Sequence, residues 1–252
     1  MTGTLHIVGL GPGGPAHRTP AAASAVAAAE VVVGYGPYVD QCEDLLTAAH
    51  EVVRGAMGEE EARAEEALAR AAAGARVALV SSGDAGVYGM AARTLDRAAA
   101  IPEAERPAVE VVPGLTAALA AAALLGAPLA DDWATISLSD IRTPWATVER
   151  RLAALADSGL ALAIYNPRSR ARRWQLDAVL DLLRERRGPD TPAAAATDVG
   201  RPGQRVTRTV LGELDPDEVT MRTLLLVAGE TGRAAGPWLV AERSEATVEV
   251  GE

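Results

Sequence analysis

Short apolar runs of strand length alternate along the chain with longer segments in which apolar residues recur at helical spacing. The predicted strands are Thr4–Val8, Val31–Val33, His50–Arg54, Arg76–Val80, Ala108–Val112, Ala134–Leu138, Leu160–Tyr165, Pro192–Ala196, Arg205–Val210, Thr223–Val227 and one near the C-terminus. The predicted helices are one with Thr19 as its N-cap, Pro37–Ala49, Glu59–Ala73, Val87–Ala100, a small-residue helix ending at Leu125, Thr143–Ala156 and Arg170–Arg187. This alternation predicts a largely parallel sheet covered on both faces.

The second half of the chain is less regular than the first. Gly126-Ala127-Pro128 ends the small-residue helix and is a plausible domain boundary. After residue 190 the strands follow one another closely, which predicts that part of the second sheet is antiparallel. We therefore predict an α/β protein with two domains, residues 1–125 and 126–252, with a mainly parallel first sheet and a mixed second one.

The stretch Ser81–Met90 has the composition of a binding loop. It follows a buried strand and precedes a helix, so it places small residues, free amides and the carboxylate of Asp84 at the carboxyl edge of the sheet. Open α/β sheets bind their ligands at that edge. The alternative is an ordinary connection whose glycines serve only the geometry of a turn.

The first loop, Gly9–Gly14, matches the Gly-x-Gly-x-x-Gly pattern of dinucleotide-binding proteins. Such a fold needs a helix that begins within the turn and an acidic residue after the second strand. Here Pro12 and Pro15 interrupt the turn, the helix begins only after Thr19, and no carboxylate follows Val33. An NAD-dependent dehydrogenase stays an alternative, and we interpret the loop as a glycine wall beside a ligand.

Composition excludes several kinds of chemistry. All 24 basic residues are arginine, which excludes a Walker A lysine and a lysine Schiff base. The net charge of -10 disfavours nucleic-acid partners. The single cysteine, Cys42, forms no internal disulfide and is interpreted as a small buried residue, and the three scattered histidines favour no metal site. With neither a membrane-length apolar stretch nor a signal-like start, we expect a cytoplasmic protein without membrane contact.

Three strand-ending loops together carry a specific resemblance. Gly11–Gly13, Ser82–Gly89 and Val112–Ala117, in that order, resemble the tetrapyrrole methylase family, the class III S-adenosylmethionine-dependent methyltransferases. The branch that methylates C17 of precorrin-3B in cobalamin biosynthesis is resembled by Ser82–Met90, by Ile136–Asp140 with Thr143–Trp145, and by Ile164–Ser169. The resemblance covers roughly residues 4 to 230.

The resemblance implies a tetrapyrrole methylase fold of two α/β/α domains, usually a homodimer, with both ligands in the cleft between the domains. S-adenosylmethionine would be the cofactor and precorrin-3B, or its cobalt-containing counterpart, the substrate. The cofactor would contact Ser82, Gly83, Asp84, Val87, Thr116, Ala117, Tyr165 and Asn166. Pro12 would face the substrate. Methylation would be coupled to contraction of the macrocycle, with formation of a lactone and loss of one carbon from the ring.

A polycarboxylate substrate calls for basic residues in an acidic protein. Arg168, Arg170, Arg172 and Arg173 lie within six residues, and Arg142 follows the Ser139-Asp140 motif. Arginine pairs with carboxylates in bidentate fashion, so we expect Arg142, Arg168 and Arg170 to bind substrate. The alternative for any single arginine is a solvated helix face.

Ring contraction needs proton transfers, for which the candidate catalytic residues are Asp84, Tyr88, Ser139 and Asp140. Alternatively, Asp84 only orients the cofactor and Asp140 caps the following helix.

One loop departs from the resemblance. Gly229-Glu230-Thr231 stands where close relatives are expected to have Gly-Asn-Ser. The alternatives to a C17-methyltransferase are therefore another tetrapyrrole methyltransferase, the dehydrogenase above, and a silent ligand-binding protein.

Overall fold

The computed structural model describes residues 2–169 and 171–242. The chain divides into two compact units, Met1–Ala117 and Ala118–Glu252. The division thus falls before the small-residue helix, whereas the sequence places it after that helix, at residue 125. Each helix in the described ranges is too short or too polar to cross a membrane.

The first unit is built on a five-stranded parallel sheet. Its elements are β1 (Thr4–Gly9), α1 (Pro20–Ala27), β2 (Val31–Tyr35), α2 (Gly36–Asp40), β3 (Glu51–Gly55), α3 (Glu60–Ala72), β4 (Arg76–Ser81), α4 (Ala91–Ala99) and β5 (Ala108–Val112). The strand order is β3-β2-β4-β1-β5, and every pairing is parallel. The predicted parallel sheet is therefore confirmed.

Helices cover both faces of this sheet. Leu5 and Ile7 of β1 share a core with Leu68 of α3, whereas Val8 of β1 packs with Val26 of α1 on the other face. Successive residues of a strand point to opposite faces, and both faces here are buried, which explains the continuous apolar runs in the sequence.

The predicted start of α1 is confirmed. Thr19 has extended backbone dihedral angles and its Oγ1 accepts a hydrogen bond from the Ala22 amide at 3.1 Å, while Pro20 occupies the first helical position. The threonine thus satisfies one of the amides that a helix start leaves without an internal partner. The helix begins well after the glycines of the first loop, so the geometry of a dinucleotide-binding turn is not present.

The predicted helix Pro37–Ala49 is wrong. The chain instead forms α2 and a short 3-10 helix, Glu43–Leu45. The Arg18 guanidinium donates to the carbonyl oxygen of Gln41, and the Leu45 amide turns to Cys42 O at 2.9 Å. A contact from a distant residue therefore occupies the carbonyl that a continuous helix would use internally.

The helix predicted over Val87–Ala100 begins only at Ala91, so this prediction is wrong at its first turn. Tyr88 has a φ of 54°, in the left-handed region that an α-helix excludes. The binding-type loop is therefore longer than the sequence pattern indicates, and both Val87 and Tyr88 belong to it.

The second unit contains a mixed sheet, as predicted. Its elements are α5 (Ala117–Leu125), β6 (Gly126–Ala127), β7 (Trp133–Ser137), α6 (Trp145–Ala156), β8 (Ala161–Tyr165), α7 (Trp174–Arg187), β9 (Pro192–Thr197), β10 (Arg205–Val210), β11 (Thr223–Val227), β12 (Gly232–Ala235) and β13 (Trp238–Ala241). The larger sheet has the order β10-β9-β11-β8-β7, with only β7 and β8 parallel. A small sheet, β12-β13-β6, completes the unit.

The core of the second unit lies between its larger sheet and two helices. Leu152 of α6 and Leu180 of α7 pack with Leu162 and Ile164 of β8. The predicted helix Arg170–Arg187 is too long, because α7 begins at Trp174. The arginine-rich stretch before it is a loop, in which the Ser169 amide donates to Arg172 O at 2.9 Å.

Candidate active site

The loops that follow β1, β4 and β5 meet at the carboxyl edge of the first sheet, because these three strands are neighbours in the order β4-β1-β5. Gly11 and Gly83 exchange two main-chain hydrogen bonds, from Gly11 N to Gly83 O at 3.0 Å and from Gly83 N to Gly11 O at 2.7 Å. The first two loops are thus joined as a short antiparallel bridge.

The third loop packs on the other two with its main chain. A Cβ at Gly114 would lie 2.3 Å from Gly83 O and 2.6 Å from the carbonyl carbon of Gly9. No side chain fits at that distance, so glycine is required at position 114. The three loops therefore present main-chain groups at short range to one another, with few side chains between them.

Gly83 differs from Gly114 in that its side-chain position is open. Its φ is +69°, and a Cβ built there would meet no heavy atom within 4 Å among the described residues, its chain neighbours aside. Left-handed dihedral angles favour glycine, and the open space beside it can receive a ligand. The β4 loop thus offers a cradle lined by backbone.

Asp84 ties two of these loops together. Its Oδ1 accepts a hydrogen bond from the Gly86 amide at 2.7 Å, and its Oδ2 accepts one from the Gly114 amide at 2.9 Å. Hydrogen bonds to an ionised acceptor are stronger than those between neutral groups. Asp84 therefore fixes the distance between the loop after β4 and the loop after β5.

A second group of functional candidates lies at the carboxyl ends of the parallel strands β7 and β8. The Tyr165 hydroxyl accepts a hydrogen bond from the Ala118 amide at 3.0 Å, in the first turn of α5. Asn166 has a φ of 50°, and its Nδ2 donates to Ser137 Oγ at 2.9 Å. Asparagine tolerates this backbone conformation better than most residues. Strand ends that are not consecutive in the chain are thus fixed together.

Asp140 lies beside a buried arginine in the same unit. Its Oδ1 is 3.7 Å from Arg172 Nε, and its Oδ2 accepts a hydrogen bond from Gln175 Nε2 at 3.0 Å. The alternative that Asp140 caps the following helix is wrong, because Pro144 is the N-cap of α6 and no side chain caps it. Asp140 therefore has two donors that set the orientation of its carboxylate.

Comparison with known proteins identifies the family. The sequence profile of the Tetrapyrrole (Corrin/Porphyrin) Methylases matches residues 4–215. The chain belongs to this family. The methylase is 44% identical over 237 residues to a precorrin-3B C(17)-methyltransferase of a Sinorhizobium species, which covers 92% of this chain and 91% of the relative.

Two further similarities agree with this one. A probable cobalt-factor III C(17)-methyltransferase of Salmonella typhimurium is 40% identical over 229 residues, covering 90% of this chain and 93% of the relative. The crystal structure of the methyltransferase CobJ matches with a TM-score of 0.90 at 38% identity, covering 96% of this chain and 100% of the other. The predicted family and fold are thus confirmed.

Most predicted site residues of the methylase fall into two groups. The first unit brings together Ser82, Gly83 and Asp84, with Ser82 Oγ donating to Gly11 O at 3.4 Å, and Val87 and Tyr88 continue that loop. Thr116 and Ala117 follow the tied loop after β5. In the second unit, the Ser139 amide donates to Ser137 Oγ at 3.3 Å, near the contacts of Asn166.

The predicted substrate-binding residues do not form one group. Pro12 is buried, and its carbonyl oxygen accepts from Gln41 Nε2 at 3.3 Å. Arg142 is exposed on the loop before α6. The Arg168 guanidinium pairs with Asp217 at 2.7 Å and donates to the carbonyl oxygen of Pro216. Arg170 lies outside the described residues.

Sequence reasoning missed the contacts made by Ser137, Arg172 and Gln175. Arg172 was grouped with the substrate-binding arginines, but its side chain is buried and donates to main-chain carbonyls. An arginine that follows Asn-Pro-Arg-Ser gives no sequence signal of burial, because the acceptors belong to distant strand ends.

The unusual Gly229-Glu230-Thr231 turn lies away from Asn166 in the second unit. Val227 of β11 pairs with Leu162 near the start of β8, and the Glu230 amide donates to Gly159 O at 2.9 Å. The turn is therefore at the opposite sheet edge from Tyr165 and Asn166. The substitution leaves the contacts at the carboxyl end of β8 untouched.

Cys42 is buried, as predicted, and burial raises the pKa of its thiol from 9.0 to about 11. At pH 8 it therefore carries about a hundredfold less thiolate than an exposed cysteine, and the thiolate is the reactive form. We expect iodoacetamide to label the native methylase about a hundredfold more slowly than the unfolded chain, measured by mass spectrometry. Equal rates in the two states would show that Cys42 is accessible and reactive.

Proposed function

We propose that this methylase transfers a methyl group from S-adenosylmethionine to C17 of precorrin-3B, or of its cobalt-containing counterpart, with contraction of the macrocycle in cobalamin biosynthesis. The observation that carries the proposal is the 44% identity, over nearly the full length of both chains, to a relative named for that reaction. Similarity to a cobalt-factor III enzyme supports the cobalt-containing substrate as the second form.

The loops of the first unit suit the methyl donor. When bound, S-adenosylmethionine supplies a methyl group that is already activated, so the protein needs to align the reacting atoms at short range. The open side of Gly83 leaves room for a ligand against the main chain, and Asp84 fixes the neighbouring loop. We assign donor contacts to Ser82, Gly83, Asp84, Val87, Thr116, Ala117, Tyr165 and Asn166.

Proton transfer during ring contraction is assigned to Asp140, Ser139 and Tyr88. Asp84 is less suited to exchange protons, because both of its oxygens accept main-chain hydrogen bonds. We therefore give Asp84 the role of orienting the donor loops, one of the two roles that the sequence leaves open. Pro12 as a substrate contact, the homodimer and the cytoplasmic location stay predictions.

Binding experiments separate this function from the dehydrogenase alternative. Calorimetric titration of the purified protein should give saturable binding of S-adenosylhomocysteine and no binding of NAD. Parallel incubations of precorrin-3B and its cobalt complex with S-adenosylmethionine then distinguish the two substrate forms. Binding of NAD alone would refute the methyltransferase assignment, and S-adenosylhomocysteine binding without turnover of either macrocycle would favour a silent ligand-binding protein.

Arg168 is expected to matter more for stability than for the substrate. Its guanidinium is held by Asp217 and Pro216 O, so we expect Arg168→Met to lower Tm by about 2–4 °C, as the loss of an ion pair of up to about 1 kcal/mol would. The KM for the macrocycle should stay unchanged. Arg142→Met is the comparison, because Arg142 is exposed and its loss should raise KM.

Steady-state kinetics and thermal unfolding of both variants check this difference. A KM that rises in Arg168→Met as it does in Arg142→Met would restore the predicted substrate role of Arg168.

A further inference from the structure

Arg172 holds three separate parts of the second unit in place. Its Nη1 donates to Leu138 O at 2.8 Å and to Asn166 O at 3.2 Å, and its Nε faces the Asp140 carboxylate at 3.7 Å. The residue is 8% exposed. A guanidinium presents its donors in a rigid fork, so one side chain can fix the ends of β7 and β8 together.

The surroundings of Asp140 favour function over stability. Gln175 is 3% exposed and donates to Asp140, while its own Oε1 is buried and accepts no hydrogen bond from the described residues. A buried amide with an unsatisfied oxygen costs stability, and an apolar residue would avoid that cost. The polar pair of Arg172 and Gln175 therefore serves the orientation of Asp140.

We propose that Arg172 is a positioning residue for the methyl transfer and ring contraction, which fixes Asp140 and the Asn166 turn and does not bind a substrate carboxylate. This inference rests on the proposed function, in which Asn166 contacts the donor and Asp140 moves a proton. It also divides the arginine-rich loop, because Arg172 then belongs to the scaffold of the site.

The variant Arg172→Met keeps the apolar stem and removes the guanidinium. At saturating donor we expect kcat to fall about tenfold or more, as a small displacement of reacting groups would cause, with KM for the macrocycle unchanged. The matched control is Arg184→Met. Arg184, also on α7, donates to Leu211 O at 2.9 Å and Leu214 O at 3.3 Å and pairs with Asp181, so it binds the same kinds of acceptor elsewhere.

The control should lose thermal stability and keep its kcat. A raised KM with unchanged kcat in Arg172→Met would make Arg172 a substrate ligand, and an equal loss of kcat in Arg184→Met would reduce its role to general stability. Either result overturns the inference.

Amide hydrogen exchange tests the positioning without any turnover. In Arg172→Met, peptides that cover residues 137–141 and 164–168 should exchange faster than in the wild type, while Arg184→Met leaves them unchanged. Unchanged exchange in Arg172→Met refutes the inference. If the wild type transfers no methyl group, the proposed function fails, and the exchange data alone decide whether Arg172 fixes these loops.

Discussion

Replacing Gly83 by alanine is expected to weaken the binding of S-adenosylhomocysteine about a hundredfold, equivalent to about 2.7 kcal/mol. A φ of +69° is unfavourable for alanine by about 1–2 kcal/mol, and the methyl group would project into the open space that we assign to the donor. Overpacking of that space adds about 1–3 kcal/mol. Calorimetry of the purified variant measures the loss.

Gly58→Ala is the matched control for this prediction. Gly58 has a φ of +88°, and its Cβ position is also open, but it lies in the exposed turn before α3. Both variants should lose a few degrees in Tm, since both place alanine in the left-handed region. If donor-product affinity falls equally in both, the loss reflects backbone strain alone, and Gly83 does not line the donor site.

Replacing Asp84 by asparagine is expected to lower kcat/KM about a hundredfold, because the asparagine amide offers one acceptor oxygen to two main-chain donors. The lost contact with an ionised acceptor is worth about 1.5–3 kcal/mol, and the loop after β5 would shift relative to the donor cradle. Affinity for S-adenosylhomocysteine should fall with kcat/KM, since the proposed role of Asp84 is to orient loops. Steady-state kinetics and calorimetry measure the two quantities.

Asp215→Asn gives the control. Asp215 Oδ1 accepts from the Asp217 amide at 2.8 Å, the same two-residue turn that Asp84 forms with Gly86, at a place to which we assign no part in the reaction. Its activity should match the wild type. If Asp84→Asn loses kcat while donor-product affinity stays intact, Asp84 acts in proton transfer and our assignment of its role is wrong.

The sheet of the first unit could be predicted because its strands are buried on both faces and carry a local signal of their own. The start of α1 was equally readable, since Thr19 and Pro20 form a cap within three residues. The break in the predicted helix Pro37–Ala49 was not, because it arises from Arg18, which is distant in the chain. Local periodicity holds no information about such a contact.

The candidate site shows the same limit. Its small residues could be found because main-chain contact at strand ends demands glycine, as at position 114. Partners of charged side chains could not. Arginine is seldom buried, so the pattern indicated a solvated or substrate-binding Arg172, whereas the fold surrounds it with carbonyl oxygens.

The position of the transferred methyl group decides the proposed function most directly. Purified protein would be incubated with precorrin-3B and S-adenosylmethionine that carries a carbon-13 methyl group, and the product examined by carbon-13 NMR and mass spectrometry. We expect one labelled methyl group on C17 of a contracted ring that bears a new acetyl group. A labelled methyl group at C11 or C20, or an unlabelled macrocycle, would refute the proposed reaction.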